Sequence, residues 1–252
     1  MFDIEDNSSR NCRLLFWGGL SLVFILALYL RFTGIEWGIP SAEFPHVPFH
    51  PDEDWVMKVL RSVSFTPKNW SPLEAYREGV LMHHLWLLLA LFMKGVGILT
   101  HLPHEIQLQS ADYGRLMWAG RCLNVLLDTA SIGVIGLIVS KITKGNRLAV
   151  FIATLIFALF PFEVIYAHYL RPHAASNFFA LLVVYACLFL KGQVSSSPAQ
   201  IRRVGCLLGI AVAARYTSIY LCGLPALVFF AESYSEVRGN LKTVFQAVGA
   251  VF

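Results

Sequence analysis

Long apolar runs separated by short polar segments dominate the chain. Most runs are apolar around their whole circumference, as expected of helices that face lipid or the interior of a helix bundle. A helix needs about 20 mostly apolar residues to cross a bilayer. The pattern predicts an all-α polytopic transmembrane helix bundle, a single membrane domain over residues 1–252 without internal repeats. The runs fall near residues 14–30, 81–99, 116–140, 148–166, 174–190, 204–231 and 243–252.

Composition supports a membrane protein. It argues against a nucleic-acid-binding protein and against a fold built on disulfides or a cysteine metal site. Hydrophobic residues make up 56% of the chain and charged residues 14%, whereas soluble domains carry about a quarter of their residues as charges. The net charge of +4 is spread over loops and helix ends, so we predict no nucleic-acid partner. The five cysteines lack CxxC spacing and indicate packing residues rather than a disulfide framework or metal site. The predicted partner is the lipid bilayer.

The basic residues predict the orientation. Lys and Arg gather in segments 141–147 and 191–203, and Arg10 and Arg13 precede the first run. Short basic segments beside apolar helices favour the cytoplasmic side. All three share that side only if run 81–99 does not cross the membrane.

Run 81–99 is the natural candidate for a helix at the membrane interface or a re-entrant helix. It contains His83, His84 and Lys94, which are costly at membrane depth unless protein surrounds them. Segment 31–115 then becomes one long non-cytoplasmic region, in which residues 31–80 form a long first external loop with juxtamembrane helices. Segment 167–173 is predicted to emerge on the same, non-cytoplasmic side.

The densest acidic cluster follows a proline in this external loop, in the order His50-Pro51-Asp52-Glu53-Asp54. Three adjacent carboxylates repel one another, so at least one should have a raised pKa or a cationic partner. Such a group is a candidate general base. The alternative is a solvated acidic loop or the first turn of a helix, where Asp and Glu are favourable.

The segments 31–40 (RFTGIEWGIP) and 49–53 (FHPDE) resemble the first external loop of glycosyltransferase family 39. This family includes protein O-mannosyltransferases and lipid A aminoarabinose transferases. Similarity continues in segments 115–137, 148–161 and 205–217, so it covers most of residues 14–230. The resemblance implies the C-type glycosyltransferase fold, of which this chain would be the N-terminal part.

The same resemblance implies an activity. The protein would be an inverting enzyme that transfers a sugar from a polyprenyl or dolichyl phosphate donor to an acceptor hydroxyl at the non-cytoplasmic face. The acceptor would be a protein, lipid or glycan, and the membrane would be a prokaryotic plasma membrane or the endoplasmic reticulum. Asp52 matches the family's base, with Glu53 as its catalytic neighbour and His50 beside the substrate. A divalent metal is a candidate cofactor.

The chain departs from the family pattern at His173, where many relatives carry a second acid. Three explanations stay open: altered substrate chemistry, a different acid such as Glu163, or a catalytically inactive scaffold. A histidine can donate a hydrogen bond or bind a metal, but it cannot supply a carboxylate's charge. A structural histidine that caps a helix is the alternative to a substrate-binding role.

Two arginines are candidate ligands of the donor phosphate. Arg171 lies at a predicted helix joint, where its guanidinium could bind phosphate with two hydrogen bonds or simply reach the membrane interface. Arg215 lies inside an apolar run and should face the bundle interior, paired with an acid or the phosphate.

The rival functional class is a membrane transporter or lipid-binding protein.

One further pair is predicted within run 116–140. Arg121 and Asp128 lie seven residues apart, on one face of a helix, and could form an internal ion pair. We expect this pair to be structural.

Overall fold

The computed structural model describes residues 4–40, 50–63, 79–108, 110–190 and 198–227. This part of the chain contains helices and no strands, so the predicted all-α class is confirmed. Two short 3₁₀ helices, Pro103–Glu105 and Tyr216–Cys222, accompany the α-helices. The α-helices are α1 (Ile4–Phe32), α2 (Pro51–Ser62), α3 (Val80–Gly95), α4 (Ala111–Ile142), α5 (Arg147–Leu159), α6 (Pro161–Ala167), α7 (His173–Leu190) and α8 (Pro198–Ala214).

Two described helices are long and apolar enough to cross a membrane. They are the Asn11–Phe32 part of α1 and the whole of α4, and α5 with α6 makes a third if the bent pair forms one span. The apolar helices α3 and α7 are shorter. The membrane-protein character is as predicted, but fewer segments qualify as spans than the apolar runs suggest. Residues 228–231 and run 243–252 lie outside the described residues.

The run 148–166 is not one straight helix. Phe160 has an extended backbone, and Pro161 starts α6, whose axis is bent by 55° from that of α5. Proline is favourable in the first turn of a helix, where its missing N–H has no partner to lose. The bend therefore divides run 148–166 at the proline that begins α6.

A buried ion pair joins α1 to the middle of α4. The Nε of Arg31 donates to Oδ2 of Asp128, and both side chains are fully buried. The predicted pair between Arg121 and Asp128 is therefore wrong. Seven residues along a helix separate the two Cα atoms by roughly 10 Å, and each side chain finds a nearer partner on another element.

Helix α4 extends well past the end of α1. Asp128 lies seventeen residues after Ala111, which corresponds to roughly 25 Å of helix beyond the level of Arg31. The first half of α4 therefore projects from the bundle. Helices α2 and α3 pack against this projecting half, and their buried core contains Met57, Leu60, Trp86, Leu116 and Met117.

Helix α3 lies beside the projecting half of α4. Gly79, the residue before the helix, lies against the end of α8. A Cβ added at Gly79 would lie only 2.6 Å from the carbonyl oxygen of Ala214. The segment after α3 reaches the start of α4, where the Thr100 N–H donates to Oδ2 of Asp112 at 2.9 Å. The helix ends at Gly95, so it covers only part of run 81–99, and its placement at the membrane interface stays a prediction.

Three connections meet at this end of the bundle. They are the segment 33–40 after α1, the segment 168–172 between α6 and α7, and the segment from Arg215 after α8. The basic turn between α4 and α5, which contains Lys144, lies at the opposite end of α4. The fold therefore brings together segments that are far apart in sequence, on the side that the charge pattern predicts to be non-cytoplasmic.

Candidate functional site

The acidic cluster forms the first turn of α2. His50 is the N-cap, and its Nδ1 accepts a hydrogen bond from the Asp52 N–H at 3.3 Å. Pro51 follows at the first helical position, where its lack of an N–H costs nothing. Carboxylates in this turn are favoured by the helix dipole. The helix N-terminus, which was an alternative in the sequence reading, is thus the observed local structure.

Each of the three acids has a cationic partner. Asp52 is bound by Arg171, Glu53 by Arg121, and Asp54 by Lys58, whose Nζ lies 2.7 Å from Oδ2. The expected compensation of the clustered negative charge is therefore confirmed. The three ion pairs differ in solvent exposure, which distinguishes the accessible Asp52 from the buried Glu53.

Asp52 is the acid that remains open to solvent. Its side chain is 48% exposed, while the Arg171 side chain that donates to Oδ2 from Nη1 is 17% exposed. The contact joins residues 119 positions apart in sequence. Asp52 and Arg171 therefore share one face of the molecule, as the predicted site requires.

His50 and Tyr169 flank this pair. The His50 Nδ1 lies 3.7 Å from Oδ2 of Asp52, and its ring centroid lies 4.5 Å from that of Tyr169. Tyr169 comes from the same connection as Arg171. The first turn of α2 and the connection between α6 and α7 thus form one continuous surface.

Glu53, in contrast, is fully buried. Its two carboxylate oxygens accept hydrogen bonds from Nε and Nη2 of Arg121 at 2.9 and 2.8 Å. Oε1 also accepts the Leu170 N–H. In this arrangement both oxygens are engaged within the protein, so Glu53 joins α2, α4 and segment 168–172 instead of facing an acceptor.

Arg121 completes this buried junction. Its Nη1 donates to the carbonyl oxygens of Ile35 and Trp37 at 2.6 and 2.8 Å. A fully buried ion pair is retained only when such additional hydrogen bonds satisfy the charged groups. The junction fixes the segment after α1 against α4, next to the acidic turn.

His173 and Arg215 form the other half of the site. The Nη1 of Arg215 donates to Nδ1 of His173 at 2.6 Å, which requires Nδ1 to be unprotonated because a guanidinium only donates. Burial, with the nearby guanidinium groups of Arg215 and Arg171, lowers the pKa of His173 to about 4. His173 is therefore neutral near pH 7, with its proton on Nε2.

The surroundings hold His173 in place. Its ring stacks on that of Tyr166 with a centroid distance of 4.8 Å and an interplanar angle of 27°. The buried hydroxyl groups of Ser176 and Ser218 lie 3.1 Å apart and join α7 to the 3₁₀ helix that follows Arg215. The histidine, at the start of α7, and the arginine, in the extended residue after α8, are thus held together.

The cluster carries excess positive charge. Asp52 and Arg171 neutralise each other, His173 is neutral, and no carboxylate among the described residues forms an ion pair with Arg215. Both Arg171 and Arg215 are close enough to His173 to affect its protonation. Such a surface favours an anionic ligand.

The described residues do not fit a divalent metal. Over this part of the chain, no three His, Cys, Asp or Glu side chains come together in an arrangement that could hold an ion. The surplus cationic charge nearby also opposes binding of a dication.

Glu163, the alternative second acid, is engaged within the bundle. Its two carboxylate oxygens accept from Nδ2 of Asn177 at 3.1 and 3.0 Å. This hydrogen bond joins α6 to α7. His173 therefore occupies the site with Arg215, while Glu163 connects two helices.

Sequence reasoning missed two residues that build this site, Asn124 and Tyr169. Asn124 is fully buried on α4, and its Nδ2 donates to the carbonyl oxygens of Tyr169 and Arg171. A signal was available, because Arg121, Asn124 and Asp128 repeat at spacings of three and four along an apolar helix. Such a polar face inside a bundle requires partners on neighbouring elements.

Comparison of the chain with protein-family models, curated proteins and solved structures gives no match. The similarity to glycosyltransferase family 39 therefore stays a prediction that rests on the motifs quoted above. The function has to be argued from the geometry and charge of the site.

Proposed function

We propose that the protein is an inverting glycosyltransferase with a C-type fold that uses a polyprenyl phosphate sugar as donor. The observation that carries the proposal is the half-exposed Asp52 carboxylate bound by Arg171, next to His173, which is itself bound by Arg215. A base and a cationic phosphate site side by side are what the transfer of a sugar from a phosphate to a hydroxyl needs.

The donor phosphate lies against Arg171 and Arg215. Guanidinium groups bind phosphate through paired, charge-assisted hydrogen bonds, and they remain protonated at any physiological pH. Their charge stabilises the phosphate as it leaves, which is the main electrostatic requirement of the reaction. The neutral His173 contributes a hydrogen-bond donor through Nε2 instead of a second negative charge.

Asp52 acts on the acceptor. Its carboxylate takes the proton of the acceptor hydroxyl, and the oxygen attacks the anomeric carbon of the donor sugar. The bond from that carbon to the phosphate oxygen breaks, and the phosphate leaves with the electron pair. A single displacement inverts the anomeric centre without a covalent intermediate.

The site lies at a membrane surface, where a lipid-linked donor is available. Part of α1 and the whole of α4 are long and apolar enough to cross a bilayer, and the cluster lies at the end of the bundle opposite the basic turn at Lys144. Acceptor hydroxyl groups of a protein, lipid or glycan reach this face from the aqueous side.

The test is sugar transfer from a polyprenyl phosphate donor by the full-length protein in lipid nanodiscs. Asp52→Asn should lower kcat by about 10²–10⁴, the usual contribution of a general base. Asp54→Asn is the matched control, because this acid lies on the same turn but pairs with Lys58. Equal rates for the Asp52→Asn and wild-type proteins would remove Asp52 from the reaction, and absence of transfer by the wild type would exclude the activity.

A further inference from the structure

The connection between α6 and α7 is held by its backbone. Asn124 donates from Nδ2 to the carbonyl oxygens of Tyr169 and Arg171, at 2.6 and 2.8 Å. Glu53 accepts the N–H of the intervening residue, Leu170. Three successive residues of a short connection are thus bound by side chains that are completely buried.

The side chain of Leu170 adds a steric constraint. It is 1% exposed and packs on α4 at Gly120, where a Cβ would lie 2.2 Å from Cδ1 of Leu170. Leu170 fills the space beside Gly120 that a larger residue would occupy, and this contact helps to fix the connection against α4. Residues 169 and 171 then present their side chains to the first turn of α2.

We propose that Asn124 is a positioning residue, which holds the backbone of residues 169–171 so that the guanidinium of Arg171 meets the carboxylate of Asp52. The consequence for the donor phosphate rests on the proposed function. Asn124 itself is fully buried and acts only through the connection.

The chemistry of the side chain explains why an asparagine serves here. The two carbonyl groups need two donors from one side chain of fixed length, and the Nδ2 group of asparagine carries two hydrogens. Aspartate has the same shape but only acceptors, so it would face both carbonyl oxygens without a hydrogen bond. Serine would keep a single donor.

The first experiment measures the position of Arg171 directly. The rate at which phenylglyoxal modifies Arg171, determined by peptide mass spectrometry, should rise in Asn124→Ala because the guanidinium is no longer held against Asp52. Ser131→Ala is the matched control, since Ser131 is equally buried on α4 but donates only to Leu127 of its own helix. Equal modification rates in the wild-type and Asn124→Ala proteins would overturn the proposal.

The second experiment uses decaprenyl phosphate, without sugar, as a binding probe. Asn124→Ala should weaken binding about tenfold, the effect expected from losing hydrogen bonds that orient a charged ligand. In a protein that already carries Arg171→Gln, the same change should have little further effect. An equal loss in both backgrounds would show that Asn124 does not act through Arg171.

The two measurements separate the two proposals. Faster modification of Arg171 without any binding of decaprenyl phosphate by the wild type supports the positioning role and contradicts the phosphate site. If Asn124→Ala does not yield folded protein, Asn124→Ser replaces it, and its retained single donor should give a smaller change in the same direction. No change in the modification rate of Asn124→Ser would then overturn the proposal.

Discussion

A single neutral histidine defines the electrostatic state of the proposed phosphate site. Its Nδ1 is engaged by Arg215, and its ring lies against Tyr166. Burial and two neighbouring cations disfavour the imidazolium form, which is why the pKa of His173 falls from 6.5 to about 4. Near pH 7, the two arginines therefore lie beside an uncharged imidazole.

This state predicts a pH dependence of stability. Below pH 6.5 the unfolded chain protonates His173, while the folded protein keeps it neutral down to about pH 4. The unfolded state then binds more protons, so the free energy of unfolding decreases as the pH falls through this window. We expect His173→Gln to show a smaller decrease between pH 7 and pH 4.5 than the wild type, measured by thermal unfolding in detergent.

The comparison isolates His173 because other groups titrate in both proteins alike. His83 also has a pKa lowered to about 4 by burial, so the wild-type curve contains at least two contributions. Identical pH dependence in the His173→Gln and wild-type proteins would contradict the assignment of a buried, neutral His173.

Sequence reasoning recovered the chemistry of single residues better than their partners. The need for cations near the clustered acids follows from Coulomb repulsion, and the structure supplies one cation for each acid. That Glu53 would bind Arg121, while Asp128 binds Arg31, depends on which helices are neighbours. The sequence shows which charged residues are costly to bury, but it does not show which residues on other helices pair with them.

At the scale of elements, α3 can begin where it does because the residue before it, Gly79, has no side chain. Gly79 has a φ of +102°, and the ends of α3 and α8 approach each other closely there. A Cβ would lie 2.6 and 2.7 Å from the carbonyl oxygens of Ala214 and Ala213. Backbone oxygens cannot rotate away as a side chain could, so the contact tolerates only glycine.

Two glycine substitutions on either side of α3 test this contact. Gly79→Ala should lower the free energy of unfolding by about 3 kcal/mol, because backbone strain and a steric clash combine. Gly97→Ala should cost about 1 kcal/mol, since its φ of +79° is strained but nothing lies within 4 Å of the added Cβ. Equal losses in denaturant titrations would show that α3 does not pack on α8 at this point.

The helices themselves were largely predictable, and their ends were less so. Apolar runs located α1, α4 and α7, and the acidic first turn after a proline marked the start of α2. Hydropathy alone does not show the bend between α5 and α6, which occurs at Pro161, or the end of α3 at Gly95. The resemblance to a family fold stays a prediction at this scale.

At the scale of the whole molecule, the length of α4 predicts which connections lie on opposite sides of a membrane. The exposed residue Gln107 lies in the connection before α4, and the exposed residue Lys144 lies in the turn after it. Because α4 is long enough to cross a bilayer, these two positions should open to opposite sides.

Single cysteines test this arrangement in a protein whose five native cysteines are replaced. In sealed vesicles, a membrane-impermeant maleimide should label Gln107→Cys from one side and Lys144→Cys only from the other. The reagent added after permeabilisation controls for reactivity, since both cysteines should then react. Labelling of both positions from the same side of intact vesicles would contradict a membrane-spanning α4.

The bend at Phe160 has a consequence for how the bundle coheres. Because α5 ends there, the carbonyl oxygens of its last turn lack the N–H groups that a continuing helix would supply four residues later. The guanidinium of Arg31 donates to the oxygen of Ala158 at 2.9 Å and to that of Phe157 at 3.5 Å, while also binding Asp128. The Arg31 side chain thus supplies hydrogen bonds that water would otherwise give to the end of α5. We therefore expect α1, α4 and the bend between α5 and α6 to form cooperatively.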